Sequence, residues 1–256
     1  MHIFAHRGIL RQLPENTMRS LMAAVDRGYA IETDLRLTAD KDFLLMHDET
    51  FERLADLKKN AAEVTLDEAT TIKYKGSDDT FISLRMFLDE LKKENKRPML
   101  ALHLKKDAQH TEAYLKLATY WKKYDLYNHA FVFDLTIEAA TALKKIDPQI
   151  KIAFIISETK FEPTIHLWDE VKNELCFDIV WAAEYRTFYT KELIDEMKKV
   201  KGTVYAMSPD VHRALGHPLA YEGYEKTWHN LIEWQVDGIC TDEPVSLENV
   251  INSKQL

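Results

Sequence analysis

Within residues 31–48, IETDLRLTADKDFLLMHD, two carboxylates and a histidine recur at spacings that chemistry can use. Glu32 and Asp34 stand two apart in a run with strand character, so in extended chain both acids point to one face. Residues 38–42 read as a polar turn, and 43–46 as an apolar return that delivers His47 and Asp48. Pairing Leu37 with Asp42 sets His47 opposite Glu32, and pairing Thr38 with Phe43 sets it opposite Asp34. In either register the imidazole shares a face with the acids, whereas a slip of one residue sends it to the other. Paired oxygen donors beside a group that titrates near neutrality suit a bound divalent cation working with acid/base catalysis. An exposed polar hairpin fits the same residues equally well.

The elements that would hold these side chains follow from the rest of the chain. Short apolar runs alternate with helical patterns along its 256 residues. Eight runs read as strands: 2–6, 30–35, 99–104, 130–134, 151–156, 178–182, 203–207 and 237–240. Between them Met18, Leu21, Met22 and Val25 keep the helical i, i+3, i+4, i+7 spacing, with Gly28 as a stop. Residues 84–93, 111–123, 136–145, 190–199 and 227–235 behave alike. Eight strands with intervening helices in this length predict an α/β fold of the (β/α)8 TIM-barrel class, with the 43–47 arm as a hairpin appended to strand 2. No linker or repeat divides the chain, so residues 1–256 are expected to form one domain.

Barrel chemistry sits at the carboxyl ends of the strands. There the prediction gathers His6 and Arg7, Glu32 and Asp34, His103 and Lys105, Asp134, and Thr241 with Asp242. The net charge of −8, from 34 basic and 42 acidic residues, argues against nonspecific nucleic-acid binding. No apolar run is long enough to cross a membrane, and no charged segment with an apolar core precedes His6. Cys176 and Cys240 lack metal-ligand spacing and read as buried thiols, giving a cytoplasmic expectation.

The motifs HRG at 6–8, LPENT at 13–17, IETD at 31–34, HDETFERL at 47–54 and VDGICTDEP at 236–244 together resemble the glycerophosphodiester phosphodiesterases. The resemblance is densest in the first 54 residues and the last strand. It implies a TIM barrel of the phospholipase-C-like phosphodiesterase type and a metal-dependent hydrolase of lipid and glycerol metabolism. The products would be an alcohol and glycerol 3-phosphate. It further implies His6 and His47 as the acid/base pair, Arg7 and Lys105 as phosphate ligands, and Glu32 and Asp34 as ligands of magnesium or calcium. The substrate would be a small glycerophosphodiester, without stable membrane insertion. A lysophospholipase D-type lipid phosphodiesterase is the alternative enzyme.

Two departures from that pattern stand out. The family reads E-x-K on the third strand, the glutamate being a third metal ligand, where this chain has His103-Leu104-Lys105. An imidazole brings nitrogen without charge, which admits manganese or zinc at a Glu32, Asp34, His103 site. Asp134, where the family tends to have serine, could restore the missing charge or pair with Lys105. A weakened site would instead leave a phosphate-ligand binding barrel. After the seventh strand, the family's W-T-V-N-like run is replaced by Met207-Ser208-Pro209-Asp210 and a loop rich in His, Tyr and Pro. In that loop Tyr221 and Tyr224 could wall an alcohol pocket, and His212 or His217 could meet a head group, unless the loop packs on itself. Asn16 reads as the cap of the first helix, Glu15 as an accessory group, and Asp242 as a cap of the last helix or a support for the Arg7 end of the site. The 49–82 segment reads as polar, with little room for a substrate-covering unit.

Overall fold

The computed structural model describes residues 1–253. Among the described residues ten strands are present: β1 (His2–His6), β2 (Ala30–Leu37), β3 (Phe43–Leu45), β4 (Leu100–Leu104), β5 (Ala130–Phe133), β6 (Lys151–Ile156), β7 (Ile165–His166), β8 (Ile179–Ala183), β9 (Val204–Met207) and β10 (Gly238–Thr241). Eight of them run parallel in the order β1-β10-β9-β8-β6-β5-β4-β2, and the β1–β2 pairing closes the ring. This is the expected TIM barrel. β7 lies on β6, and β3 pairs antiparallel with the upper half of β2 after β1 has left it.

Local sequence explains the helices that space these strands. Thr17, Ser83, Thr136 and Thr190 each accept an N–H from the first turn of the helix that follows. The barrel interior is aromatic: Phe4, Phe131, Phe133, Trp181 and Tyr205 fill it, with Phe133 stacked on Trp181 at 4.8 Å. A larger apolar layer separates the strands from the helices. The 49–82 segment departs from expectation, because Phe51, Val64, Leu66, Tyr74 and Phe81 bury against Leu44 and Met46 as a small core of their own. Its apolar residues lie too irregularly spaced to register as a helix or strand pattern. Cys240 is buried in the barrel, but Cys176 is partly exposed, which corrects its reading as a buried thiol.

The hairpin register also differs from both expected alternatives. Leu35 faces Leu45 and Leu37 faces Phe43, one residue away from either pairing considered above. Residues 38–42 form a five-residue loop in which Thr38 N–H donates to the Asp42 carbonyl and Lys41 takes a left-handed conformation. That register keeps Leu35, Leu37, Phe43 and Leu45 together in the outer apolar layer. Extended backbone would then turn His47 away from the acids. The strand ends at Leu45, however, and His47 sits on irregular backbone whose carbonyl accepts from Arg36 Nε at 2.9 Å.

Candidate active site

Parallel register places the key side chains in one row: His6 beside Glu32, and Asp34 beside His103. His6 ends β1, and the chain then turns sharply through Arg7 and Gly8, both at positive φ. At Gly8 a Cβ would run into the side chain and backbone of Ser20. The turn aims Arg7 back at β2, where its Nε lies 3.2 Å from Asp34 Oδ2 and its Nη1 donates to Glu15 Oε1 at 3.2 Å. Glu15 is braced in turn by Arg53. It therefore positions Arg7.

Glu32 and Asp34 are fully buried; Glu32 Oε2 has no hydrogen-bond partner among the described residues, whereas Asp34 Oδ1 faces the Lys105 ammonium and the His103 ring. Burial and the neighbouring Asp34 push the Glu32 carboxyl above its ordinary value. Burial opposes ionisation of Asp34 as well, but Lys105 and Arg7 outweigh it and hold that carboxyl well below the usual range. One atom each from Glu32, Asp34 and His103 lie within 4.8 Å of one another. The orphaned Glu32 oxygen, a second buried carboxylate and an imidazole nitrogen fit a divalent cation that accepts mixed oxygen and nitrogen donors. Lys105 Nζ is 3.0 Å from Asp34 Oδ1 and 3.1 Å from His103 Nδ1. Beneath them His103 stacks on Phe133 at 4.7 Å, so the floor of the site is apolar.

Each of the two proposed acid/base imidazoles is oriented by a carboxylate. His6 Nδ1 donates to Asp242 Oδ1 at 2.6 Å and turns Nε2 toward Glu32, 3.8 Å away. His47 Nδ1 donates to Asp48 Oδ1 at 2.8 Å, and Arg53 holds Asp48 from the other side. Burial, then the charges of Lys105 and Arg7, lower the His47 pKa to about 4 against the opposing effect of Asp34.

Asn16, assigned above to helix capping, belongs to this site instead, and of the two readings of Asp242 the structure favours support of the site over capping. Thr17 caps the first helix, while Asn16, buried at φ 55°, donates to Asp34 Oδ2 and accepts from Thr33 Oγ1. Asp242 orients His6, and also binds Arg11 at 2.9 Å. Asp210 secures this arrangement by accepting from Thr241 Oγ1 and the Asp242 N–H. An Asx side chain just before a helix carries the same local signal whether it caps that helix or reaches into a site, so the sequence favoured capping for both.

Across the mouth, the loop after β9 packs on itself in part. His212 and His217 are buried against the end of β8, through the Glu184 carbonyl and carboxylate respectively. Tyr185 packs on His212 at 4.5 Å and Phe161 at 4.8 Å. Tyr221 is 73% exposed, with Arg213 5.7 Å from its ring centroid. Among the described residues, no contact joins it to the acids or to either catalytic histidine candidate.

A profile of the glycerophosphoryl diester phosphodiesterase family matches residues 6–246. The glycerophosphodiester phosphodiesterase of Bacillus altitudinis is 25% identical over 249 residues, 94% of each chain. Shorter matches, at 36–40% identity, span less than a third of the length of the curated relatives concerned. A crystal structure from Galdieria sulphuraria superposes with a TM-score of 0.81 at 23% identity, covering 98% of this chain and 97% of the other. An Oleispira antarctica phosphodiesterase, solved with the product sn-glycerol-3-phosphate, gives 0.72 at 19% identity over 98% and 97%. At these identities the structures establish a shared fold.

Proposed function

The chain belongs to the glycerophosphoryl diester phosphodiesterase family, and from that premise we propose that it hydrolyses glycerophosphodiesters to an alcohol and glycerol 3-phosphate. The observation that carries this reading is the pair of imidazoles, each with Nδ1 on a carboxylate, flanking two buried acids beside Arg7 and Lys105. That arrangement supplies a base, an acid, cation ligands and phosphate donors at one barrel mouth.

Glu32, Asp34 and His103 would hold the divalent cation, which when bound withdraws charge from the phosphoryl oxygens. Arg7 offers its planar fork of donors to the phosphate, and Lys105 a point charge. A His47 pKa near 4 leaves that imidazole unprotonated at neutral pH, ready to take the proton of the attacking oxygen. His6, turned by Asp242, presents Nε2 to the leaving alcohol oxygen and donates to it. Asp48 and Asp242 fix the tautomers, so that in both rings Nε2 is the nitrogen left for proton transfer.

The test is release of glycerol 3-phosphate from glycerophosphocholine and glycerophosphoethanolamine across magnesium, calcium, manganese and zinc. Turnover that stops on chelation and returns with one of these ions is expected. Binding of glycerol 3-phosphate without turnover under any ion would make the chain a phosphate-ligand binding barrel. One observation favours a second substrate class: Phe161, Leu215 and Tyr221 are half or more exposed on loops at the catalytic end. Faster cleavage of lysophosphatidylcholine than of the deacylated diesters would favour the lysophospholipase D-type reading.

A further inference from the structure

The exchange of a carboxylate for His103 leaves the cation site one negative charge short, and the neighbouring strand answers it. Asp134 follows β5 in a left-handed conformation, φ 69°, with its backbone carbonyl tied by Gln109 Nε2 at 2.7 Å. The same Gln109 amide donates to the Leu104 carbonyl at 2.8 Å, lacing the ends of β4 and β5 together. This brings Asp134 Oδ2 to 2.8 Å from His103 Nε2. The opposite edge of the ring faces the site: Nδ1 is 3.1 Å from Asp34 Oδ1 and 3.9 Å from Glu32 Oε1. Phe133 stacks on the ring and limits its freedom to turn.

We propose that Asp134 is the positioning residue of the cation site, accepting the Nε2 proton of His103 so that Nδ1 presents its lone pair to the ion. The inference rests on the metal-dependent reading above. A carboxylate on the far nitrogen fixes the tautomer and makes the imidazole a stronger ligand, and such partners commonly contribute 10- to 100-fold in affinity. Asp134 thus returns the lost charge one bond network further out, while the donor atom stays nitrogen. A site of two oxygens and one nitrogen selects manganese, zinc or another transition ion over magnesium and calcium.

Calorimetric titration with manganese tests the proposal on four proteins: native, Asp134→Asn, His103→Glu and the double variant. Asp134→Asn keeps an acceptor oxygen but loses the charge, and affinity is expected to fall roughly 10-fold or more. In the His103→Glu background the same change is expected to alter affinity by less than about 2-fold, because no imidazole remains to be oriented. His103→Glu alone is expected to shift preference toward magnesium and calcium. On the native zinc-loaded protein, nitrogen-15 NMR is expected to find His103 protonated at Nε2 and metal-bound at Nδ1. That measurement needs no variant to fold. Equal losses in both backgrounds, or a ring metal-bound through Nε2, would overturn the proposal while leaving the metal reading intact. Failure of the native protein to bind any of these ions would remove both.

Discussion

The mouth of the barrel has two sides that hold similar residues under opposite conditions. On the side of β1, β2 and β4, acids meet side-chain donors: Asp34 has Arg7 and Lys105, and Asp242 has His6 and Arg11. On the side of β6, β8 and β9, acids meet backbone. Glu184 Oε2 accepts the N–H groups of Phe188 and Tyr189, and Glu158 those of Tyr185 and Arg186. The imidazoles differ in part in the same way. His6 and His47 put Nδ1 on carboxylates, whereas His212 puts Nδ1 on the Glu184 carbonyl; His217, with Nε2 3.4 Å from Glu184 Oε1, is the exception. A carboxylate whose oxygens are committed to main-chain donors is a structural brace, while an orphaned one such as Glu32 Oε2 has free energy to gain from a cation. We therefore propose that charge chemistry belongs to the first side and shape recognition to the second.

The largest test of this division removes the two imidazoles proposed as the base and the acid. His6→Ala or His47→Ala is expected to lower kcat by roughly 10²- to 10⁴-fold with manganese affinity kept, since neither ring is placed as a ligand. A comparable loss from His212→Ala would erase the distinction between the two sides. Next in size are the orienting carboxylates. Asp242→Asn should cost on the order of 10²-fold in kcat, because a carboxylate stabilises a ring that donates at both nitrogens and an amide does not. Asp48→Asn should cost less, about 10-fold, because His47 is partly exposed and water can stand in for its partner.

The pH profile sharpens the comparison through the sign of the His47 shift. Its pKa is lowered to about 4, chiefly by burial and then by Lys105 and Arg7, so the base form persists well into acid. Activity that depends on this base should fall only as pH drops through that value, placing the acid limb of kcat/KM below pH 5. Lys105→Met removes a charge that lowers the pKa, so the limb should move upward while phosphate binding weakens. An acid limb near pH 6.5 that ignores Lys105 would mean that another group is the base.

How much of this was legible in sequence divides along the same line. The strands were readable because the apolar runs are short, separate and flanked by turn residues, and β1, β2 and β6 begin where the pattern places them. Glu32 and Asp34 were readable because a two-residue period fixes a common face once the strand is known. The contact between Asp242 and His6 spans 236 positions and exists only because β10 closes the barrel against β1. Asn16 was hidden by Thr17, which takes the cap and leaves the left-handed residue before it free to reach Asp34. His47 defeated the register argument because the strand that was to carry it stops at Leu45. The recognition side gave least, since its polar groups bond to main chain and leave no side-chain spacing to read.

That side carries the smallest expected effect, and the one that discriminates best between the two roles. His212 is buried, its Nδ1 committed, and burial first, with the Glu184 carbonyl opposing and His217 and His6 reinforcing, lowers its pKa to about 4. At neutral pH its Nε2 is an acceptor without charge, suited to a substrate hydroxyl and not to a phosphate. Tyr185 lies against it, and burial raises the phenol pKa, with Asp134, Glu158 and Glu162 adding to the shift. A ring in that acidic surrounding favours a cationic head group over an anionic one. His212→Ala and Tyr185→Leu are each expected to raise KM about 3- to 10-fold with kcat within roughly 2-fold, because on this proposal they contact the alcohol and not the reacting bond. For Tyr185→Leu the loss should be greater with glycerophosphocholine than with an uncharged glycerol head group. Equal loss on both, or a fall in kcat at constant KM, would place Tyr185 with the chemistry and dissolve the boundary between the two sides.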